Sequence, residues 1–298
     1  MLLLGLGLAL IGITGFYLYT TFSRPIGSGP AGPAVARDAF ARSWTTRPVW
    51  LVGLGDSVTA GFGARRGHSY FDLLVSNAPD DSAAMAGICL SSVLPRLSAT
   101  NLSISGSISH EAADSQLRRV PHCDTNTLGV VVITTGGNDL IHNYGRTPPR
   151  EEAMFGATWE QAQPWIPGFA ARLETIVAGI AERFPGGCHI FLANIYDPTD
   201  GAGDLERTGL PNWPDGLKVL AAYNDVIVRC AKAHTNVHLV NFHDAFLGHG
   251  IHCSQFWAKH YDSSDPHYWY YFNLEDPNGR GYDAIRRLFL NEIAKAWR

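Results

Sequence analysis

The sequence predicts an α/β protein with a parallel sheet covered on both faces, and three observations carry that expectation. Short apolar segments rich in β-branched residues recur along the chain, separated by stretches with helical spacing, an alternation that calls for parallel connections. Small and polar residues gather directly after three of these segments, at residues 53–62, 101–109 and 134–139, the strand ends where open α/β sheets carry their sites. Of the 298 residues, 46% are apolar and 17% charged, enough apolar material for one large core and too few charges for a disordered chain.

Taken in order, Met1 to Phe22 holds no charged side chain. At about 1.5 Å per residue such a helix crosses a bilayer core of about 30 Å, so a membrane-spanning or signal-anchor segment is expected over residues 1–22. Ala34-Val35-Ala36 fits a cleavage pattern but lies well beyond the apolar run, which favours an uncleaved anchor. Residues 23–46 begin with a stretch rich in Ser, Gly and Pro and are expected to be a flexible linker, and residues 47–298 a single domain. Strands are expected near 49–54, 100–104, 129–134, 188–195 and 236–242. Helices fit between and after them: Phe169, Leu173, Ile176, Val177, Ile180 and Phe184 recur at helical spacing, as do Leu217, Leu220, Tyr223, Ile227 and Cys230, and then Ile285, Leu288, Phe289 and Ile293. Two insertions rich in aromatic residues, 143–168 and 254–274, are expected to border a ligand cleft, with about half of their rings merely packing the loops down.

The segment Gly53-Leu54-Gly55-Asp56-Ser57-Val58-Thr59-Ala60-Gly61-Phe62 places a serine where an apolar strand, Val49-Trp50-Leu51-Val52, enters a glycine-flanked turn. Small neighbours let the main chain turn sharply and let a substrate approach, which suits a serine nucleophile; a simple helix cap by Asp56 or Ser57 fits the segment equally well. Asn101-Leu102-Ser103-Ile104-Ser105-Gly106-Ser107-Ile108-Ser109 and Val130-Val131-Val132-Ile133-Thr134-Thr135-Gly136-Gly137-Asn138-Asp139 end two further strands. With these three blocks in order, the chain resembles the SGNH (GDSL-type) hydrolases, serine esterases and lipases. The resemblance implies a flavodoxin-like order in a five-stranded sheet within a three-layer α/β/α domain. It also implies Ser57 as nucleophile, with the Gly106 amide and the Asn138 side chain joining the Ser57 amide as oxyanion donors. Acyl transfer builds negative charge on a carbonyl oxygen, and a preorganised donor there is worth about 3–4 kcal/mol.

The final block departs from the family's Asp-x-x-His-Pro-Asn-x-x-Gly-Tyr. Here the chain reads Asn273-Leu274-Glu275-Asp276-Pro277-Asn278-Gly279-Arg280-Gly281-Tyr282, so Asp276 stands in the histidine position and Asn273 in that of the aspartate. Serine attack needs a base within hydrogen-bond reach. His249, between two glycines, is the expected base, oriented by Asp276; His267, in Asp265-Pro266-His267, follows it, and His252 is third. A loop holding His249, His252, Cys253 and His267 has donor atoms for zinc but no tight Cys-x-x-Cys or helical His-x-x-x-His pair, so no metal and no cofactor is expected.

These features predict an esterase or lipase acting on a small-molecule ester or acyl lipid. A carbohydrate acetylesterase and a non-catalytic binding protein on a hydrolase scaffold are the alternatives. A net charge of −4 leaves no basic footprint for nucleic acid, and five cysteines form no recognisable disulfide framework. Arg24, Arg37, Arg42 and Arg47 follow the apolar run, which favours a cytoplasmic domain, whereas a single N-terminal span on an esterase favours export to the periplasmic or extracellular side.

Overall fold

The computed structural model describes residues 2–297, with the side chains of residues 2–6, 8 and 9 outside the description. Five strands, β1 (Val49–Gly55), β2 (Leu97–Asn101), β3 (Leu128–Thr134), β4 (Cys188–Ala193) and β5 (Val237–Val240), form one parallel sheet in the order β2-β1-β3-β4-β5. This is the flavodoxin-like order, with its switch point between β1 and β3. Both faces are buried, as a parallel sheet requires. Leu51, Val130, Val132 and Phe191 face a core closed by the last helix, Gly279–Ala296, through Ile285, Phe289 and Ile293. Val52, Leu54, Val131, Ile133 and Ile190 face the other core, closed by the helices Ile166–Arg183 and Gly216–Ala233.

β2 lies earlier than the sequence suggests. It is an edge strand whose in-register partners run from Val49↔Leu97 to Gly53↔Asn101, and its exposed Ser98 and Ala99 leave no apolar signature to read. The more apolar continuation at Leu102 and Ile104 leaves the ladder, although their amides still donate to the Gly53 and Gly55 carbonyls.

The N-terminal segments differ from expectation in two ways. Leu2–Phe22 forms one 21-residue helix, yet among the described residues no helix is long and apolar enough to cross a membrane. Residues 23–46, expected as a flexible linker, are strapped onto the domain. The Pro25 carbonyl accepts from Tyr268 N at 2.8 Å, the Ser28 and Gly29 carbonyls accept from Arg280, Ala31 N donates to Asp283, and Phe40 is buried. Prolines and glycines suit this strap because it crosses close to the last helix; a side chain at Gly32 would meet the Ala284 backbone at 2.7 Å.

Candidate active site

β1 delivers the serine. Gly55 has φ 114°, and a Cβ there would lie 1.7 Å from the Thr134 carbonyl oxygen, so only glycine lets β1 and β3 stay paired up to the turn. Asp56 then caps a one-turn helix, Ser57–Ala60, by accepting from Val58 N at 3.1 Å, and Gly61 ends that turn in the left-handed region. The cap therefore belongs to Asp56, and Ser57 is left half-buried at the strand end. Thr134 donates its hydroxyl to Asp56 at 2.7 Å and so joins the ends of β1 and β3. Burial dominates at Asp56 and pushes its pKa up to about 7.

The two other strand-end blocks are held to the first by buried polar contacts. Gln116 takes both polar groups of Gly55, accepting from its N–H at 2.7 Å and donating to its carbonyl at 2.8 Å, and the same Gln116 amide also donates to the Ser107 hydroxyl at 2.8 Å. Gly106 occupies the left-handed region at φ 81° on an exposed turn. Asn138, half-buried at the end of β3, donates one amide hydrogen to the Ser107 carbonyl at 2.9 Å, which leaves its second hydrogen for a ligand. Asp139 is fully buried and accepts from Ser109 N at 2.8 Å and from the Ser109 hydroxyl, with the Arg172 guanidinium 3.5 Å away. Residues 106, 107, 109 and 138 are thereby drawn together at the switch point.

The last block closes the site. Asn278 caps the final helix by accepting from the amides of Arg280 and Gly281, and donates to the Tyr268 carbonyl at 2.7 Å. Tyr282 donates to the Phe62 carbonyl at 2.8 Å, tying this helix to the turn that follows Ser57. Asp276 is consequently buried beside Ser57. Asn273 donates its side-chain amide to Asp276 Oδ2 at 2.7 Å, and Ser57 is the other neighbour whose hydroxyl acts on the carboxyl's charge. Its Oδ1 is buried without a hydrogen-bond partner, so the serine and the carboxyl are close but not hydrogen-bonded in this state, and catalytic contacts often tighten only with substrate bound. Burial raises the Asp276 pKa above the ordinary carboxylate range, with Ser57 and Asn273 pulling it back down. Glu275, half-buried on the wall of the same cavity, is raised to about 7 by burial and by the Asp276 charge.

The expected Ser57–His249–Asp276 relay is not assembled. The His249 ring stacks on Trp269 at 3.4 Å between centroids, its Nδ1 pairs with the His267 carbonyl at 3.1 Å, and burial lowers its pKa. Its loop is held away by Asp200, which accepts from the amides of Gly248, Gly250 and His252. His267 Nδ1 pairs with Asp265 at 2.5 Å, and His252 is spent on Gln255 and Asp204, both at 2.9 Å. None of the three lines the cavity at Ser57. The cavity walls also correct the expected role of the insertions: Tyr144 and Phe155 come from the first, but only Asn273 and Leu274 from the second. Most of the remaining apolar wall is built by residues 195–220, with Val58, Leu140, Ile141, Ala193 and Phe242. Trp269 and Tyr270 instead pack on Phe246. Among the described residues, the donor atoms of Glu174, Cys230 and His234 are the ones close enough to share a metal ion, within 4.8 Å of one another, and they sit on the helices behind the sheet. All five cysteines are free.

Sequence reasoning missed Gln116, Glu275 and Asn273 as parts of this site. Asn273 and Asp276 carried a signal, since together they occupy the two polar positions of the family's last block. Gln116 carried none, because its partner Gly55 lies 61 residues away.

The chain belongs to the GDSL-like lipase/acylhydrolase family, whose model matches residues 54–284. This is a family of ester-hydrolysing enzymes. Among solved structures, the chain is similar to an extracellular lipase from Streptomyces rimosus, with 19% identity, a TM-score of 0.53, and 83% of this chain and 99% of that one covered. It is also similar to a point mutant of an acetyl-xylooligosaccharide esterase from Geobacillus stearothermophilus, with 16% identity, a TM-score of 0.50, and 84% and 96% covered. At these identities the likeness speaks for the fold alone. Among curated proteins none matches the sequence.

Proposed function

We propose that the protein hydrolyses carboxylic esters through an acyl-enzyme on Ser57, with Asp276 taking the serine proton in place of a histidine. The observation that carries this reading is the buried Asp276 carboxyl at the Ser57 hydroxyl, braced by Asn273 from behind. The arrangement keeps the order nucleophile, base, orienting group while exchanging their chemistry. An imidazole needs an acceptor behind it; a carboxylate needs a donor, and the Asn273 amide is one. In the forward step Ser57 Oγ attacks the ester carbonyl and its proton passes to Asp276. The oxyanion is received by the amides of Ser57 and Gly106 and by the free hydrogen of Asn138. Asp276 then protonates the leaving alcohol, and a water loses its proton to Asp276 as it attacks the acyl-serine.

Two physical features support a carboxylate in this role. Its pKa is raised by burial, which brings a weak base closer to one able to accept a proton at neutral pH. Desolvation also strengthens every charge interaction within the cavity. A fluorophosphonate probe together with a panel of p-nitrophenyl esters tests the reading on the full chain. Labelling lost in Ser57→Ala and turnover lost in Asp276→Asn are expected. A folded protein that is never labelled would instead be a binding protein on this scaffold, the reading favoured if the missing histidine is decisive.

The Leu2–Phe22 helix is, in this reading, a membrane anchor. It carries no charged residue, and its 21 residues reach about 31 Å at 1.5 Å per residue. The domain then works at a membrane on the periplasmic or extracellular side. Carbonate-resistant sedimentation of the full chain and protease accessibility in intact cells test the anchor and its orientation.

A further inference from the structure

The cavity at Ser57 has a second end that the proton-transfer chemistry does not use. From Ser57 and Asn138 it extends between β3, the 205–216 segment and the start of the Gly216–Ala233 helix, where its wall is formed by Ile141, Phe155, Leu210, Trp213, Leu217 and Leu220. Trp213 gives its indole N–H to the Ala157 carbonyl at 2.8 Å and packs on Phe155 at 5.2 Å, so it offers the cavity an apolar face with its one polar atom already satisfied. Among the polar residues along the wall, the Thr135 and Tyr144 hydroxyls are buried without partners, and others are engaged. Asn194 donates to Asn241, and Asp197 accepts from the amides of Thr199 and Gly201 and from the Thr199 hydroxyl. Apart from the Thr135 and Tyr144 hydroxyls, a sugar would find few free donors or acceptors here, and the wall from Ile141 to Leu220 offers an alkyl chain an apolar surface.

We propose that this end of the cavity binds the acyl chain of the substrate, and that the preferred esters carry an unbranched acyl group of about six carbons. This rests on the proposal that Ser57 is the acylated residue. The whole cavity, its Ser57 end included, holds about 150 Å³, the size at which an apolar cavity accommodates a six-carbon guest such as benzene, so the six carbons are counted from the reacting carbonyl. An acetyl group would leave most of it empty, whereas a long fatty acyl chain would have to run out into solvent. Each methylene that fills an apolar pocket is worth about 10-fold or more in kcat/KM, so the length preference is steep up to the end wall and flat beyond it.

The test measures kcat/KM of the full chain on p-nitrophenyl acetate, butyrate, hexanoate and decanoate, together with fluorophosphonate labelling of Ser57. Hexanoate is expected to exceed acetate by at least ~10-fold. In Leu217→Trp, which fills the far end, the hexanoate-to-acetate ratio is expected to fall at least ~10-fold, mainly through the KM for hexanoate. Leu210→Trp repeats the experiment from the opposite wall should the first variant fail to fold. Labelled enzyme that prefers acetate, or a ratio unmoved by both tryptophans, overturns the acyl pocket while leaving the serine hydrolase standing. Absence of labelling in folded protein overturns the hydrolase reading instead. Calorimetry with hexan-1-ol against ethanol then reads the pocket by itself, and equal binding of the two sinks it.

Discussion

Asp276 concentrates the chemical question of this protein in one side chain. A carboxylate is a weaker base than imidazole, and its protonation sets an acid limb on activity. Because burial raises its pKa, turnover should rise with pH along a limb displaced above the ordinary carboxylate range, and the Glu275 carboxyl on the same wall titrates at about 7. Asp276→Asn should abolish that limb with nearly all turnover, and Ser57→Ala should lose at least ~10³-fold with folding intact. Asn138→Ala should cost about 10² to 10³-fold. A sharper test is to rebuild the family's last block: Asn273→Asp with Asp276→His should label and turn over, with an acid limb moved toward that of an imidazole. An inactive but folded double variant would show that the cavity is shaped for the carboxylate.

At the scale of elements, the site depends on how the strand ends are clamped. Gln116 bonds both polar groups of Gly55 and reaches Ser107, so Gln116→Leu takes the side-chain acceptor from the buried Gly55 N–H, while the Gly55 carbonyl keeps the Ile104 amide. At about 1–3 kcal/mol for an unsatisfied group, the urea midpoint should fall clearly, and kcat should fall because Gly106 and Ser57 lose their common brace. A kcat unchanged alongside that stability loss would show that the oxyanion donors are held by other contacts. Asp56 is the second clamp. Its folded pKa of about 7 lies above the 3.8 of an ordinary aspartate, so between those values the folded state holds more protons than the unfolded one and stability falls as pH rises. Asp56→Asn keeps the acceptor for Val58 N and Thr134 without the charge. Its thermal midpoint relative to wild type should therefore rise between pH 4 and pH 8; a constant difference would count against the raised pKa.

For the whole molecule, the strap over residues 23–46 decides how the N-terminal helix relates to the domain. It is pinned to the last helix through Arg280 and Asp283 and to the aromatic segment at Tyr268, while Ser254 and Gln255 donate to carbonyls at the end of the Leu2–Phe22 helix. A chain that starts at residue 23 should keep the melting temperature of the full protein, and one that starts at residue 36 should melt lower, because Arg280 and Asp283 then lose their strap partners inside a largely buried ion-pair network. Equal melting temperatures for the two truncations would show that the strap adds no stability.

What the sequence by itself determined is local. Strand–helix alternation predicts the layered sheet, and the small residues around Ser57, Gly106 and Asn138 mark the strand ends because backbone conformation and close approach constrain the residues allowed there. The order of the blocks predicts that these ends converge. Only the tertiary structure decided what meets Ser57. His249 looked free between its glycines, yet Asp200 and Trp269, remote in sequence, hold it away. Asp276 looked like a residue awaiting a histidine, yet the Asn278 cap and the Tyr282–Phe62 contact seat it at the serine itself. The cavity wall likewise comes from at least five separate stretches of chain, and the supposed linker is held by partners more than 200 residues away. Side-chain periodicity reports which face of an element is buried. It carries no record of which distant polar atoms that burial brings within 3 Å of one another, and in this protein those pairings set the chemistry of the site.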